Sequence, residues 1–214
     1  MIIAVDGPAA SGKGTLASGL ARHYNLPYLD TGLLYRAVGR AVEAFENSAE
    51  FEQRAIAAAQ TLDENDLEPE FLLSPRIGNL ASKVAVIGAV RHALFDYQRE
   101  FASQDGGAVL DGRDIGTVIA PDAEVKLFIQ ADSKARMERR ARQLEARGQV
   151  VDRYALYHQI EERDARDMAN PNGGFYKADD AHLLDTTLLD IEAALRAAIA
   201  IVDRTMALKA GQTP

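Results

Sequence analysis

The stretch Gly7-Pro8-Ala9-Ala10-Ser11-Gly12-Lys13-Gly14-Thr15 constrains this chain more than any other. It follows the apolar run Ile2-Ile3-Ala4-Val5 and precedes Leu16, Leu20 and Tyr24 at helical spacing, so the local order is strand, glycine-rich turn, helix. That order suits the terminal phosphates of a nucleoside triphosphate. The turn aims backbone N–H groups inward, the helix N-terminus carries partial positive charge, and Lys13 adds one mobile cation. Gly7, Gly12 and Gly14 remove Cβ atoms that would hold the backbone away from the ligand. The general pattern sets Ser or Thr directly after the lysine; here Gly14 intervenes, and Thr15 is expected to supply the hydroxyl that faces Mg²⁺.

A chain of 214 residues has room for one α/β core with a small inserted subdomain, not for two large domains. No apolar run approaches the length of a bilayer span, and the opening segment meets Asp6 too early for a secretory signal, so a cytoplasmic protein is expected. The absence of cysteine excludes disulfides, thiolate metal sites and thiol catalysis. A net charge of −8 opposes general binding to nucleic acid or to anionic membrane. Basic residues that cluster in spite of it, from Arg136 to Arg147 and from Arg163 to Arg166, therefore call for a local explanation.

After the first helix, Tyr28-Leu29-Asp30 reads as a short strand and Thr31-Gly32 opens a helix with Leu34, Ala37, Val38, Ala41 and Val42 on one side. Residues 47–62 read as a helix ended by the acidic run 63–69, and residues 75–103 as two consecutive helices parted near Gly88. Ala108-Val109-Leu110-Asp111 is a short buried strand, and Gly112-Arg113-Asp114-Ile115-Gly116-Thr117 leaves its carboxyl end, the edge at which open parallel sheets bind ligands. There Asp111 can hold Mg²⁺ through its waters, and Arg113 can meet a phosphate with two hydrogen bonds. A further strand at 125–129 leads to Asp132-Ser133, a capping pair for a helix that Gly148 closes. The next helix begins near Asp152 and ends in Arg163-Asp164-Ala165-Arg166-Asp167, where Arg163 and Asp167 share a face and suit either an intrahelical ion pair or a ligand. Residues 170–174 read as a mobile turn, 182–185 as the last strand, 187–190 as the start of a long packing helix, and 210–214 as a frayed tail. His23, His92, His158 and His182 have no metal-ligand spacing.

The Gly12-Lys13-Gly14-Thr15 variant after a short apolar strand resembles the nucleoside monophosphate kinases. The segments Asp30-Thr31-Gly32-Leu33-Leu34-Tyr35-Arg36, Ser82-Lys83-Val84-Ala85 with Val90-Arg91, and Asp111 to Thr117 narrow the resemblance, nearly end to end, to the cytidylate kinases. The resemblance implies an α/β fold of the P-loop NTPase type, a three-layer sandwich with a parallel five-stranded sheet, a helical NMP-binding insert and a short lid. The core would comprise residues 1–44, 90–132 and 180–214, the insert about 45–89 and the lid about 133–179. It implies a monomer that uses ATP and Mg²⁺ to phosphorylate CMP and dCMP, with no nucleic-acid or membrane partner. In this reading Gly7, Pro8, Ala9, Ala10, Ser11, Gly12, Lys13, Gly14 and Thr15 hold ATP. Lys13, Arg113, Arg163 and Arg166 are catalytic, and Thr15 and Asp111 serve the metal. Thr31, Arg36, Ser82, Arg91, Arg113, Asp114, Arg163 and Asp167 bind the acceptor. Cytosine needs an acceptor at its amino group and donors at N3 and O2; Asp114 would accept, Arg91 would donate and Ser82 would complete the edge. One or two arginines of the Arg136–Arg147 run would serve the lid, and the rest would be solvated.

The chain departs from the family in two places. The strand-rich insert of longer members has room here only as a loop or very short hairpin, and Asn170 stands where the family has an arginine, with Arg166 or Lys177 as possible substitutes. Alternatives are a kinase for UMP and CMP together, a kinase for another small acceptor such as shikimate or dephospho-coenzyme A, and a nucleotide-operated switch. Against the switch, no Asn-Lys-x-Asp guanine signature occurs.

Overall fold

Five apolar runs become strands: β1 (Ile2–Asp6), β2 (Tyr28–Asp30), β3 (Ala108–Gly112), β4 (Val125–Gln130) and β5 (His182–Asp185). In the computed structural model, which describes residues 1–170 and 175–211, they form one sheet in the order β2-β3-β1-β4-β5, every pair parallel. The turn expected at 171–174 and the end of the expected tail, 212–214, lie outside the described residues. Because successive side chains face opposite ways, Ile3, Val5, Val109, Leu127 and Ile129 pack on one face, against Leu16 and Leu20 of α1 (Lys13–Tyr24) and Ala198 and Val202 of α9 (Ile191–Ala210). Ala4 and Leu110 face the other way, against Leu34 and Val38 of α2 (Thr31–Ala41) and Val90 and Leu94 of α6 (Gly88–Ala102). Both faces are covered, which is why β1, β3 and β4 read as nearly unbroken apolar runs and why the fold is a three-layer sandwich. Among the described residues no helix is long and apolar enough to cross a membrane.

The order places β1 at the centre, with β2 and β3 on one side and β4 and β5 on the other. Ligands of open parallel sheets bind outside the strand ends where the order reverses, and the loop that leaves β1 stands there. Gly7 adopts φ +154°, and a Cβ on it would lie 2.2 Å from the Ile129 carbonyl oxygen of β4. Gly12, at φ +93°, turns the chain into α1. Both positions demand glycine, the first by close approach and the second by backbone angle.

Between α2 and α6 the chain forms α3 (Phe51–Gln60), α4 (Pro69–Leu72) and α5 (Pro75–Val84), with 3₁₀ turns at Glu43–Phe45 and Glu64–Leu67. The acidic run expected to end the preceding helix itself forms a helical turn, and among the described residues between α2 and α6 there is no strand. The Asp63 carboxylate accepts from Asn65 N at 2.6 Å, and Asp66 accepts from Asp63 N at 3.1 Å, a reciprocal cap that favours a helical turn over a hairpin. Ser74 accepts from Ile77 N at 3.1 Å, and Pro75 at the first helical position needs no N–H partner, so α5 starts sharply. Ala37, Leu72, Ile77 and Leu80 seal this lobe onto α2, close enough that a Cβ on Gly39 would lie 2.9 Å from Ala81 N.

Beyond β4 stand α7 (Ser133–Glu145) and α8 (Arg153–Met168), capped by Asp132 and Asp152 and parted near Gly148 at φ +76°. Met137, Ala141, Leu144, Leu156 and Ile160 give this hairpin a small core of its own.

Candidate active site

A cavity of about 320 Å³ opens at the carboxyl edge of the sheet. Its wall takes Lys13 and Thr15 from α1, Thr31 and Arg36 from α2, Ser82 from α5, Arg91 from α6, Arg113 and Asp114 from the segment after β3, and Arg140, Arg163 and Asp167 from α7 and α8. Residues spread over most of the chain thus meet because every connection returns to the same sheet edge.

The donor side is the loop after β1. The first N–H groups of α1 have no partner within the helix, and Thr15 is exposed at the cavity. Lys13 Nζ lies 3.5 Å from Asp111 Oδ2, and the Tyr28 hydroxyl donates to Asp111 Oδ1 at 2.8 Å. Asp111 is 1% exposed, and burial raises its carboxyl above the ordinary carboxylate range although Lys13 opposes the rise. Burial, then the charge of Arg113, lowers the Lys13 ammonium. Among the described residues no group of three or more acidic, His or Cys side chains could hold a metal by itself. One hydroxyl and one carboxylate beside a phosphate site suit Mg²⁺, which commonly keeps several waters and takes its remaining ligands from phosphate.

Two arginines from the basic run brace this loop from behind. Arg136, 4% exposed, donates to Ala9 O at 3.2 Å, Ala131 O at 3.0 Å and Asp164 Oδ2 at 2.5 Å. Arg139 donates to Ser11 O at 3.1 Å and to the Thr186 carbonyl. Carbonyls of the loop are thereby satisfied on its outer side.

The acceptor side is a ring of cations. Arg113 Nε donates to Asp167 Oδ2 at 2.7 Å, and the guanidinium lies 5.8 Å from the centre of the Phe175 ring. Burial works against its charge, but Asp167 outweighs burial and the Arg113 pKa is raised. Asp167 therefore serves Arg113 across the cleft, and the intrahelical pair open to Arg163 does not take it. Arg163 is left with its buried Nε unbonded, and burial, then Arg113, lowers its pKa to about 10. Burial, then Arg140, lowers Arg36, which donates to Leu72 O at 2.7 Å. Cations that depress one another in a cleft are arranged for an anion.

At the inner end Arg91 and Asp114 form a close ion pair, and the Tyr35 ring lies 5.9 Å from the Arg91 guanidinium. Burial raises Asp114 above the carboxylate range against the pull of Arg91. Ser82, 5% exposed, accepts from Arg166 Nε at 3.4 Å. The Thr31 hydroxyl donates to the Asp111 carbonyl at 2.8 Å, tying α2 to β3. Arg166 is the one expected catalytic residue that does not line the cavity; it lies against α5. Lys177 donates to Ala178 O and Ala181 O. Asn170 lines the cavity, and its side-chain amide donates to Ala85 O at 3.1 Å.

Sequence reasoning left Arg140 undistinguished within its basic run and missed Tyr28, Phe175 and Asp6 altogether. Arg140 lines the cavity and donates to the Gln143 side chain at 3.3 Å, and burial, then Arg147, lowers it. Tyr28 carries the second bond to Asp111, Phe175 covers Arg113, and Asp6 accepts from Ile115 N and Gly116 N at 2.8 Å each. The only signal for Asp6 was a carboxylate ending an otherwise apolar strand.

A family model described as Cytidylate kinase matches residues 3–204. Curated relatives named Cytidylate kinase include one from Xanthobacter autotrophicus, 54% identical over 95% of this chain and 97% of its own. Another, from Methylocella silvestris, is 52% identical over 95% and 94%. A third, from Rhodopseudomonas palustris, is 50% identical over 99% of each. Among solved structures, an uncharacterized protein from Eubacterium ventriosum shares the fold with a TM-score of 0.55 at 18% identity, covering 95% of this chain and 98% of that one.

Proposed function

The chain belongs to the cytidylate kinase family, and from that premise we propose that it transfers the terminal phosphoryl group of ATP to CMP and dCMP. The observation that carries this reading is one cleft joining a phosphate-binding loop to a ring of arginines, with the Arg91–Asp114 pair at its inner end.

No general base is needed, because the acceptor oxygen belongs to a phosphate already anionic at neutral pH. The barrier lies in bringing two polyanions together, so positive charge is the catalyst. Lys13 would follow the transferring group. Arg36, Arg113 and Arg163 would hold the acceptor phosphate, with Asp167 fixing the Arg113 plane, and Arg140 would reach in from α7. Arg166 would act only after a movement that frees it from Ser82. Thr15 would ligate Mg²⁺ and Asp111 would hold its waters, the ion neutralising the oxygens of the terminal phosphates. Residues 45–89 would act as the acceptor-binding lobe and 133–179 as the lid, and their closure would exclude the water that could otherwise accept the phosphoryl group. Asp114 would accept from the cytosine amino group and Arg91 donate to the ring edge. Uracil, with a carbonyl in place of the amino group, would meet Asp114 with a like partial charge instead of a donor.

We further propose that the protein acts as a monomer, in the cytoplasm. ADP release measured with and without CMP tests the reading. A kinase shows turnover that depends on CMP; slow hydrolysis indifferent to CMP would mark a nucleotide-operated switch instead.

A further inference from the structure

After β3 the chain does not run straight into a helix. It makes a single π-helical turn, Ile115–Ile119, with Ile119 N donating to Asp114 O at 3.1 Å and Ala120 N to Ile115 O at 2.6 Å. Such turns are uncommon and concentrate at functional sites. Its first N–H groups have no partner within the turn. Asp114 occupies the capping position, and an aspartate there ordinarily swings its carboxylate back onto those N–H groups. Here it does not: Asp114 makes no cap bond, and its carboxylate is directed to Arg91.

The missing cap comes from another strand. Asp6, the last residue of β1, accepts from Ile115 N with Oδ1 and from Gly116 N with Oδ2, both at 2.8 Å. The register that sets Asp6 beside Gly112 makes this reach possible, and Asp6 is only 5% exposed. Gly116 admits the carboxylate closely, since a Cβ there would lie 3.4 Å from Asp6 Oδ2 and 3.1 Å from the Lys126 stem. The strand that presents the phosphate-binding loop therefore also fixes the segment carrying Arg113 and Asp114.

We propose that Asp6 is a positioning residue for acceptor recognition: by capping the turn at Ile115–Ile119 in place of Asp114, it leaves the Asp114 carboxylate free to pair with Arg91 and face the acceptor's base. The inference rests on the kinase reading above, and specifically on Asp114 meeting the base. Asp6 does not line the cavity. Its effect runs through the turn, so it bears on the acceptor and on discrimination between bases rather than on ATP.

The test is a set of four proteins, wild type, Asp6→Asn, Asp114→Ala and the double variant, each assayed for kcat/KM on CMP and UMP and for KM of ATP. Asparagine keeps the size of Asp6 but offers one acceptor oxygen, so one turn N–H loses its partner and draws on Asp114. The expected result for Asp6→Asn is a CMP-to-UMP preference reduced about tenfold or more, with KM for ATP within about twofold of wild type. In the double variant the preference should equal that of Asp114→Ala alone, because the two residues act on one contact. A merely structural role would depress both substrates alike and leave the ratio unchanged. If Asp114→Ala narrows the preference and Asp6→Asn does not, the proposal for Asp6 is overturned while the base reading stands. If Asp114→Ala leaves the preference intact, the base reading itself fails, and the route through Asp114 fails with it. Should Asp6→Asn not fold, Asp6→Ser, which retains one acceptor in a smaller side chain, takes its place. Failure of both to fold would make Asp6 a stability residue and end the proposal.

Discussion

Replacing Lys13 by alanine separates two consequences of one side chain. The ammonium lies 3.5 Å from Asp111 Oδ2, with Lys13 16% and Asp111 1% exposed. Without it, the Asp111 carboxylate keeps the Tyr28 hydroxyl as its side-chain donor. Removing one member of a fully buried pair costs about 3–5 kcal/mol. Here the cavity mouth admits solvent and the carboxyl, already raised by burial, can take up a proton, so a smaller loss is expected, on the order of 2 kcal/mol. For a chain of this length that corresponds to roughly 4–8 °C in Tm. Turnover should fall at least about a hundredfold, or about 2.7 kcal/mol of transition-state stabilisation, because no other side chain on the donor loop carries positive charge. The double variant Lys13→Ala/Asp111→Asn should regain most of the lost Tm, since no buried charge remains, without regaining turnover. Thermal unfolding followed by a coupled ADP-release assay at saturating ATP and CMP reads both effects. A folded Lys13→Ala protein with turnover within about tenfold of wild type would refute the catalytic assignment, and an unchanged Tm would refute the buried-pair argument.

Arg140→Ala should lower kcat by about tenfold or more with little change in Tm, since among the described residues this guanidinium has no acidic partner to lose; equal kcat would remove it from the site. Asn170→Arg should tighten CMP binding or leave it unchanged, as measured by calorimetry, and abolition of binding in a folded protein would show that residue 170 does not take the place of the family's arginine. Burial lifts Asp6, which feels the charges of Asp114 and Arg113, to about 7 from 3.8. A carboxyl raised on folding binds its proton better in the folded chain, so its contribution to stability falls as pH rises from about 4 to about 7 and is flat above. Asp6→Asn should flatten that part of a plot of Tm against pH, and parallel plots would contradict the assignment.

The parts of the site that rest on short-range pattern were legible in the sequence. Strand β1, the glycine turn and α1 follow from an apolar run, glycines at demanding backbone positions and helical spacing, and α7 and α8 announce themselves through Asp132 and Asp152. The helical turn after Asp63 is not legible in the sequence because a carboxylate run reads as a helix stop, whereas Asp63 and Asp66 cap each other. What escaped entirely were partnerships set by strand order. Arg113 and Asp167 are 54 residues apart, Tyr28 and Asp111 are 83, and Asp6 and Ile115 are 109. Spacing along the chain instead offered Arg163 to Asp167, a pair that the fold replaces by bringing Arg113 onto the same carboxylate. The basic run 136–147 likewise looked uniform, yet Arg136 and Arg139 turn back onto carbonyls of the phosphate loop while Arg140 faces the cavity. Only the direction in which α7 presents each side chain separates them.

Whether the inner end of the cleft reads cytosine is decided by kcat/KM for CMP against UMP in the unmodified protein at saturating ATP. A carboxylate placed for an amino group should reject the carbonyl of uracil, so a preference for CMP of roughly 10³–10⁴ is expected. Equal efficiency on the two acceptors would contradict it.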